Sequence, residues 1–151
     1  MKKIFSIALV LVVCFILTGC FGGKTVTCSS ESKQKNYTIS TDYKITSSKD
    51  IVTKVTIKTV IESKDEKVLK DFKSQFEEQY KSNSKSYGGY DYKVTIKGQK
   101  LTADVTIDYK KFNLEKFVKA NGAMKEYVNK KNELTLDGAK KMYKSTGAKC
   151  K

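Results

Sequence analysis

Of the 151 residues in this chain, the four cysteines hold the most chemistry, and their surroundings divide them. Cys20 follows Leu17-Thr18-Gly19 at the end of an apolar run from Ile4 to Leu17, behind the basic pair Lys2 and Lys3. That run is shorter than the roughly 20 residues a membrane-spanning helix needs. A basic start, a brief apolar stretch and small residues before a thiol make an export signal that ends at a site of lipid attachment. Cys14 leaves with the signal. Cys28 and Cys150 then remain as a pair in an exported, oxidising setting, where a disulfide between them is expected. Two free thiols or a redox pair are the competing uses, although no Cys-x-x-Cys spacing supports the latter.

Other reactive groups are scarce. The sequence has no His, and reading it through shows no Arg, so all 30 basic residues are Lys. Without imidazole there is no near-neutral general base, no nucleophilic triad and no imidazole metal site to build. Asp104 and Asp108 share the polar side of one strand, but four residues of strand put them roughly 13 Å apart, beyond either glycosidase geometry. The expectation is a non-enzyme with no catalytic residues, no metal and no cofactor.

Leu17-Thr18-Gly19-Cys20 resembles the lipobox of bacterial lipoproteins. That resemblance implies a diacylglyceryl thioether on Cys20, cleavage just before it, and a place on the extracytoplasmic face of the cell membrane. Residues 1–19 then form the cleaved signal peptide, 20–27 the lipidated terminus and a short tether, and 28–151 a single domain. The seven residues Phe21 to Thr27 reach at most about 25 Å when extended, so the folded body should sit close to the bilayer.

The formal charge of +14 is uneven, with a net +8 over residues 110–151 against +4 over 20–109. Near an anionic bilayer each Lys adds about 1 kcal/mol of attraction. Lys140, Lys141 and Lys144 are therefore the candidate contacts to anionic lipid or cell-wall polymer, with a solvated surface as the plainer alternative. Nucleic acid is not expected, since Arg, which supplies bidentate base and phosphate contacts, is absent. A second candidate surface is Tyr87-Gly88-Gly89-Tyr90-Asp91-Tyr92, where Tyr87, Tyr90 and Tyr92 could grip a sugar or peptide. A packed connector is the alternative use of that segment.

The elements that must position these residues follow from periodicity. Alternation in Tyr37–Ile45 and Ile51–Ile61 predicts a strand hairpin joined by a loop at 46–50, with Lys44, Lys54 and Lys58 on the face away from the apolar one. A short strand through Thr25, Val26 and Thr27 precedes it. Ser63 and Glu66 have capping-box spacing, and Val68, Leu69, Phe72, Phe76 and Tyr80 make the apolar stripe of a long helix. A Gly98-Gln99 turn sets the register of a second hairpin, Ile96 opposite Leu101, Val94 opposite Ala103, Tyr92 opposite Val105 and Lys93 opposite Asp104. Asn113 caps a short helix, Thr135 or Asp137 opens a last one, and Gly147 stops it before Cys150. The expected fold is α+β, an antiparallel sheet of four or five strands with one long helix and several short C-terminal helices, packed mainly on one face.

A cysteine eight residues after the lipobox cysteine, the strand hairpin, the long helix, the Tyr92–Tyr109 hairpin and the helical tail together resemble the YehR-like family of small bacterial lipoproteins. The resemblance implies this fold and an envelope location, and it brings no catalytic residues. The functional expectation is a lipid-anchored envelope module that binds or organises something at the outer face of the cytoplasmic membrane. The alternatives are an envelope enzyme using isolated carboxylates, or a structural protein held electrostatically to anionic lipid or wall polymer.

Overall fold

The computed structural model describes residues 23–151, so the signal peptide assigned to 1–19 and the lipid-attachment cysteine Cys20 lie outside the described residues. The chain runs β1 (Gly23–Lys33), β2 (Thr38–Ser48), β3 (Ile51–Glu62), α1 (Glu66–Tyr87), β4 (Tyr90–Lys97), β5 (Lys100–Asp108), α2 (Leu114–Ala120), a 3-10 turn (Gly122–Glu126), α3 (Leu136–Ser145) and β6 (Lys149–Cys150). All strand pairings are antiparallel, in the order β4-β5-β3-β2-β1-β6. The sheet thus has six strands rather than the four or five expected. The sixth is β6, whose two residues are too few to show any alternation.

Strand parity explains how the layers form. Val55, Ile57, Thr59 and Ile61 of β3 point to one side, where Val55 joins Ala139 and Tyr143 of α3, and Ile61 joins Leu69 of α1. Both helices therefore cover the same face, as the one-sided apolar pattern predicts. On α1 the buried stripe is centred on Leu69, Phe72, Phe76 and Tyr80. A central hydroxyl pair, Thr41 and Thr59, lies in this layer with its oxygens 3.3 Å apart, one donating to the other.

The second hairpin forms in the predicted register, with Ile96 opposite Leu101, Val94 opposite Ala103, Tyr92 opposite Val105, Thr95 opposite Thr102 and Lys93 opposite Asp104. Gly98 takes φ 56°, the positive value demanded at the first position of that two-residue turn. The first hairpin is tighter than expected: β2 continues to Ser48, and a bulge at Thr46/Ser47 lets Lys49 (φ 54°) and Asp50 alone make the turn. β1 is longer than the Thr25–Thr27 segment. It pairs with β2 from Gly23 opposite Ser48 onwards, so the domain opens at Gly23, inside the stretch expected to be tether.

The N-terminus of α1 is built differently from the capping box. Asp65 is the cap, its carboxylate accepting from the Lys67 amide at 2.8 Å. Ser63 is 6% exposed and used elsewhere: its hydroxyl donates to the Asn36 carbonyl at 2.8 Å and accepts from the Asp65 amide at 3.0 Å. The later caps match expectation, with Asn113 accepting from the Lys116 amide, Thr135 from the Gly138 amide, and Gly147 at φ 90°.

Cys28 and Cys150 form a disulfide. They face one another across β1 and β6, and the reciprocal backbone bonds between Thr27 and Lys151 make the cysteine pair the non-hydrogen-bonded one, where opposite side chains come closest. The bridge closes a span of 122 residues. Reduction, or Cys150→Ser, is expected to lower unfolding free energy by about 3–5 kcal/mol on the chain-entropy account. Urea denaturation with and without reductant measures this, and equal midpoints would contradict it.

Aromatic rings fill the core at the α1–β4–β5 end and under α3. Tyr80 stacks with Phe76 at 5.6 Å and lies 6.2 Å from Tyr90, while Tyr43 and Tyr143 meet at 4.2 Å. Burial, reinforced by Tyr90 and Tyr43, pushes the Tyr80 hydroxyl up to about 12. Burial likewise raises Tyr90, Tyr109 and Tyr143. Because the unfolded chain releases these protons near pH 10 while the fold retains them, stability is full below pH 10 and falls as pH rises beyond it. Tyrosinate absorbance should therefore show a component from Tyr80, Tyr90, Tyr109 and Tyr143 that ionises only above pH 10, together with loss of near-ultraviolet dichroism. One titration of all nine tyrosines near pH 10 on an intact fold would contradict this.

Candidate functional site

The tyrosine segment is spent on the fold. Tyr87 ends α1 with its ring 5.1 Å edge-on to Phe117 and 5.7 Å from Phe112, and Tyr90 opens β4 with its ring 6.2 Å from Phe112. Gly88 and Gly89 join them at φ 68° and 62°, and a Cβ on Gly89 would meet the Asp108 carbonyl and Phe112 amide at 2.6 Å. The Asp108 amide donates to the Gly89 carbonyl, and that of Asn113 to the Tyr87 carbonyl, fastening the segment at both ends. Only Tyr92 keeps a substantial free surface, at 36%. The segment is packed as a connector that leaves Tyr87 and Tyr90 half-buried.

Lys140, Lys141 and Lys144 lie on α3, and the structure gives one of them an internal partner. Lys141 pairs with Asp137 at 2.9 Å, one helical turn away. The hydrogen bond and charge of Lys141 hold the Asp137 carboxyl below its usual range, with Lys140 and Lys144 adding to the effect; the same pair raises Lys141. Lys140 is half-buried and Lys144 exposed. The cluster is a partly neutralised helix surface.

Asp104 and Asp108 remain on the open face of β5, where Asp104 stands in register with both Lys58 and Lys93. The carboxylate of Asp108 accepts from the Lys110 amide at 3.0 Å, a turn-forming contact. Among the described residues there is no group of three His, Cys, Asp or Glu that could hold a metal, and no helix is long and apolar enough to cross a membrane.

A hollow of about 1040 Å³ opens at the end of the sheet remote from Gly23. Three connections converge there: Gln34, Asn36 and Tyr37 from the β1–β2 loop, Lys64 from the β3–α1 loop, and Lys97 and Gln99 from the β4–β5 hairpin. Ser63 staples them. Beyond its bonds to Asn36 and Asp65, its amide donates to the Gln99 carbonyl at 3.0 Å. Tyr37 is held edge-on to Phe72 at 5.1 Å. Lys100 is taken by Glu62 at 2.7 Å, and Asp65 by the Lys67 amide, whereas Lys35, Lys64 and Lys97 join no ion pair among the described residues. Amide side chains and unpaired lysines around a rigid base can bind polar or anionic groups, but no proton-transfer pair is assembled there. Sequence reading missed this hollow because its parts are scattered over 34–37, 63–64 and 97–99. The available signal was the Gln34-Lys35-Asn36 cluster between two strands, which marks a polar turn without saying what meets it.

Neither a protein-family model nor a curated protein sequence matches the chain. Two solved structures do. The NMR structure of the Escherichia coli YehR protein aligns over 85% of this chain and 92% of its own, with a TM-score of 0.54 and 18% identity. The NMR structure of a protein from Streptococcus pneumoniae TIGR4 covers 85% of each chain, with a TM-score of 0.49 and 14% identity. At 18% identity the first likeness speaks to architecture alone, and the chain has a YehR-like fold.

Proposed function

We propose that the chain is a non-enzymatic lipoprotein, anchored through acylated Cys20 at the extracytoplasmic face of the membrane, that presents a polar binding hollow to the surrounding envelope. The observation that carries this reading is the placement of the two ends. Three residue steps separate Cys20 from the first residue of β1, a reach of about 10 Å. The hollow begins at Gln34, after eleven residues of strand, roughly 35 Å farther along. Anchor and concavity would then sit at opposite poles, with the concavity facing away from the bilayer. Gln34, Asn36 and Gln99 offer both donors and acceptors, Lys64 and Lys97 offer charge, and Tyr37 offers a ring with a polar tip, a set suited to a hydroxyl-rich envelope ligand. Two acyl chains suffice for stable anchoring.

Mass spectrometry of the product isolated from membranes tests the anchor: a diacylglyceryl-modified chain beginning at Cys20 is expected, and a bare sulfur or residues 1–19 still attached would overturn it. The hollow is tested by co-purifying envelope components with the acylated protein. Asn36→Ala with Gln99→Ala should reduce the material retained about tenfold, the value of one or two lost hydrogen bonds at roughly 1 kcal/mol each. Retention equal to that of the parent chain would remove the hollow from consideration.

A further inference from the structure

All three helices leave the second face of the sheet uncovered, and it carries charges of both signs, with an excess of lysine near β6. On the β4–β5 side Asp91, Asp104 and Asp108 alternate with Lys93, Lys97 and Lys100. Toward β6 the open-face positions carry Lys44, Lys54 and Lys58, joined by Lys149 and Lys151 from the C-terminal end, with Asp42 among them and Glu31 and Glu62 farther along the strands. Lys44, Lys58, Lys149 and Lys151 line one hollow of about 330 Å³, together with Thr27, Ser29, Asp42 and Thr56. None of these four lysines joins an ion pair among the described residues.

The register sets their spacing. Lys151 exchanges backbone bonds with Thr27, which pairs with Lys44, so these two lysines stand two strand spacings apart, about 10 Å. Lys149 pairs with Ser29, Ser29 with Asp42 and Asp42 with Lys58, a row three spacings long, about 14 Å. These lysines thus stand in two short rows across a concave surface, the second containing Asp42, and the threonine and serine hydroxyls between them can donate hydrogen bonds to anionic oxygens.

We propose that this face docks a flexible polymer of repeating phosphodiesters, held by Lys44, Lys58, Lys149 and Lys151. Charge complementarity selects an anion, and two rows of point charges select a chain bearing several of them. The choice of polymer over bilayer rests on the anchoring proposed above. With the tether entering at Gly23, the sheet meets the membrane end-on, so a face running along the strands is turned sideways and its hollow is beyond the reach of a flat head-group layer. Duplex nucleic acid fits less well, because ammonium groups lack the planar fork that reads bases.

The site also depends on the disulfide. Lys149 and Lys151 are placed by a strand of only two residues, which the Cys28–Cys150 bond fastens to β1. Reduction should release both lysines and weaken docking.

The test uses the full-length chain in non-ionic detergent and a fluorescent poly(glycerol phosphate), with binding read by anisotropy. It is independent of acylation, so a failed anchor and a failed docking face give different results. With about three phosphates engaged, log affinity should fall against log salt with a slope near −2. Lys149→Ala with Lys151→Ala, and separately Lys44→Ala with Lys58→Ala, should each weaken binding about ten- to thirtyfold. Lys140→Ala with Lys144→Ala should leave it within about twofold, the residual of long-range charge. Dithiothreitol should reproduce the loss seen on removing Lys149 and Lys151; should the reduced chain unfold, the lysine variants decide alone. Unchanged binding in both paired variants, an equal loss from the α3 variant, or tighter capture by duplex DNA than by the polymer would each overturn the proposal.

Discussion

The structure depends first on a sheet that buries one face only. Adjacent residues of a strand point to opposite sides, so a chain that places Ile45, Val55, Ile61, Leu101, Ala103 and Val105 at alternate positions commits one side to helices. Full burial of an aliphatic side chain is worth about 1.5–3 kcal/mol, and sliding any strand by one residue would carry its apolar set into water. The positions between them are free to be Lys, Thr and Asp. The same parity that makes a core under α1 and α3 thereby makes a broad polar face whose composition the fold does not restrict.

A one-sided sheet with helices on its covered face still has two edges, and this chain treats them differently. At one edge, α1 packs against β4 and the aromatic rings of Tyr80, Tyr90 and Tyr92 gather there. At the other, β1 is met only by the two residues of β6 and the Thr27–Lys151 backbone pair. A pairing so short cannot hold itself, since ordering each residue costs about 1–2 kcal/mol against a few hydrogen bonds of about 1 kcal/mol. The disulfide supplies what the pairing lacks. It also seats Ala148 and Tyr143 against Cys28 and Ile45, so the covalent link and the α3 cluster support each other.

Local patterns were sufficient where neighbours in sequence are neighbours in space. The register of Tyr92–Ile96 against Leu101–Val105 could be read from a single Gly98-Gln99 turn, because a two-residue turn leaves no freedom in the pairing. The caps Asn113 and Thr135 were legible for the same reason. Ser63 shows where such reading stops. Its spacing to Glu66 fits a capping box, yet its hydroxyl bonds to Asn36, 27 residues away, and the cap passes to Asp65. The buried Ser63 hydroxyl meets its own demand through the Asn36 carbonyl and the Asp65 amide, and that tertiary pairing displaces the local motif. β6 and the distal hollow were hidden on the same grounds, since each exists only through partners distant in the chain.

The tyrosines make the same point about function. Tyr87-Gly88-Gly89-Tyr90 has the composition of a ligand-gripping loop, but glycine pairs serve two physical needs that look alike in sequence. One is mobility; the other is close approach of backbone. Here the second governs, since a Cβ at Gly89 would stand 2.6 Å from both the Asp108 carbonyl and the Phe112 amide, and the flanking rings close over Phe112. Rings held that way are fixed in place and half-buried, which turns attention from aromatic residues to polar ones. The groups left unspent by the fold are the amides and lysines around Gln34, Asn36 and Gln99 and the lysines of the uncovered face. In a domain where apolar side chains and carboxylates are largely engaged in packing, turns and ion pairs, unpaired ammonium groups in concave settings are the chemistry still available to a partner. Partners chosen by such groups are recognised by charge and spacing, so salt would regulate their capture more strongly than temperature does.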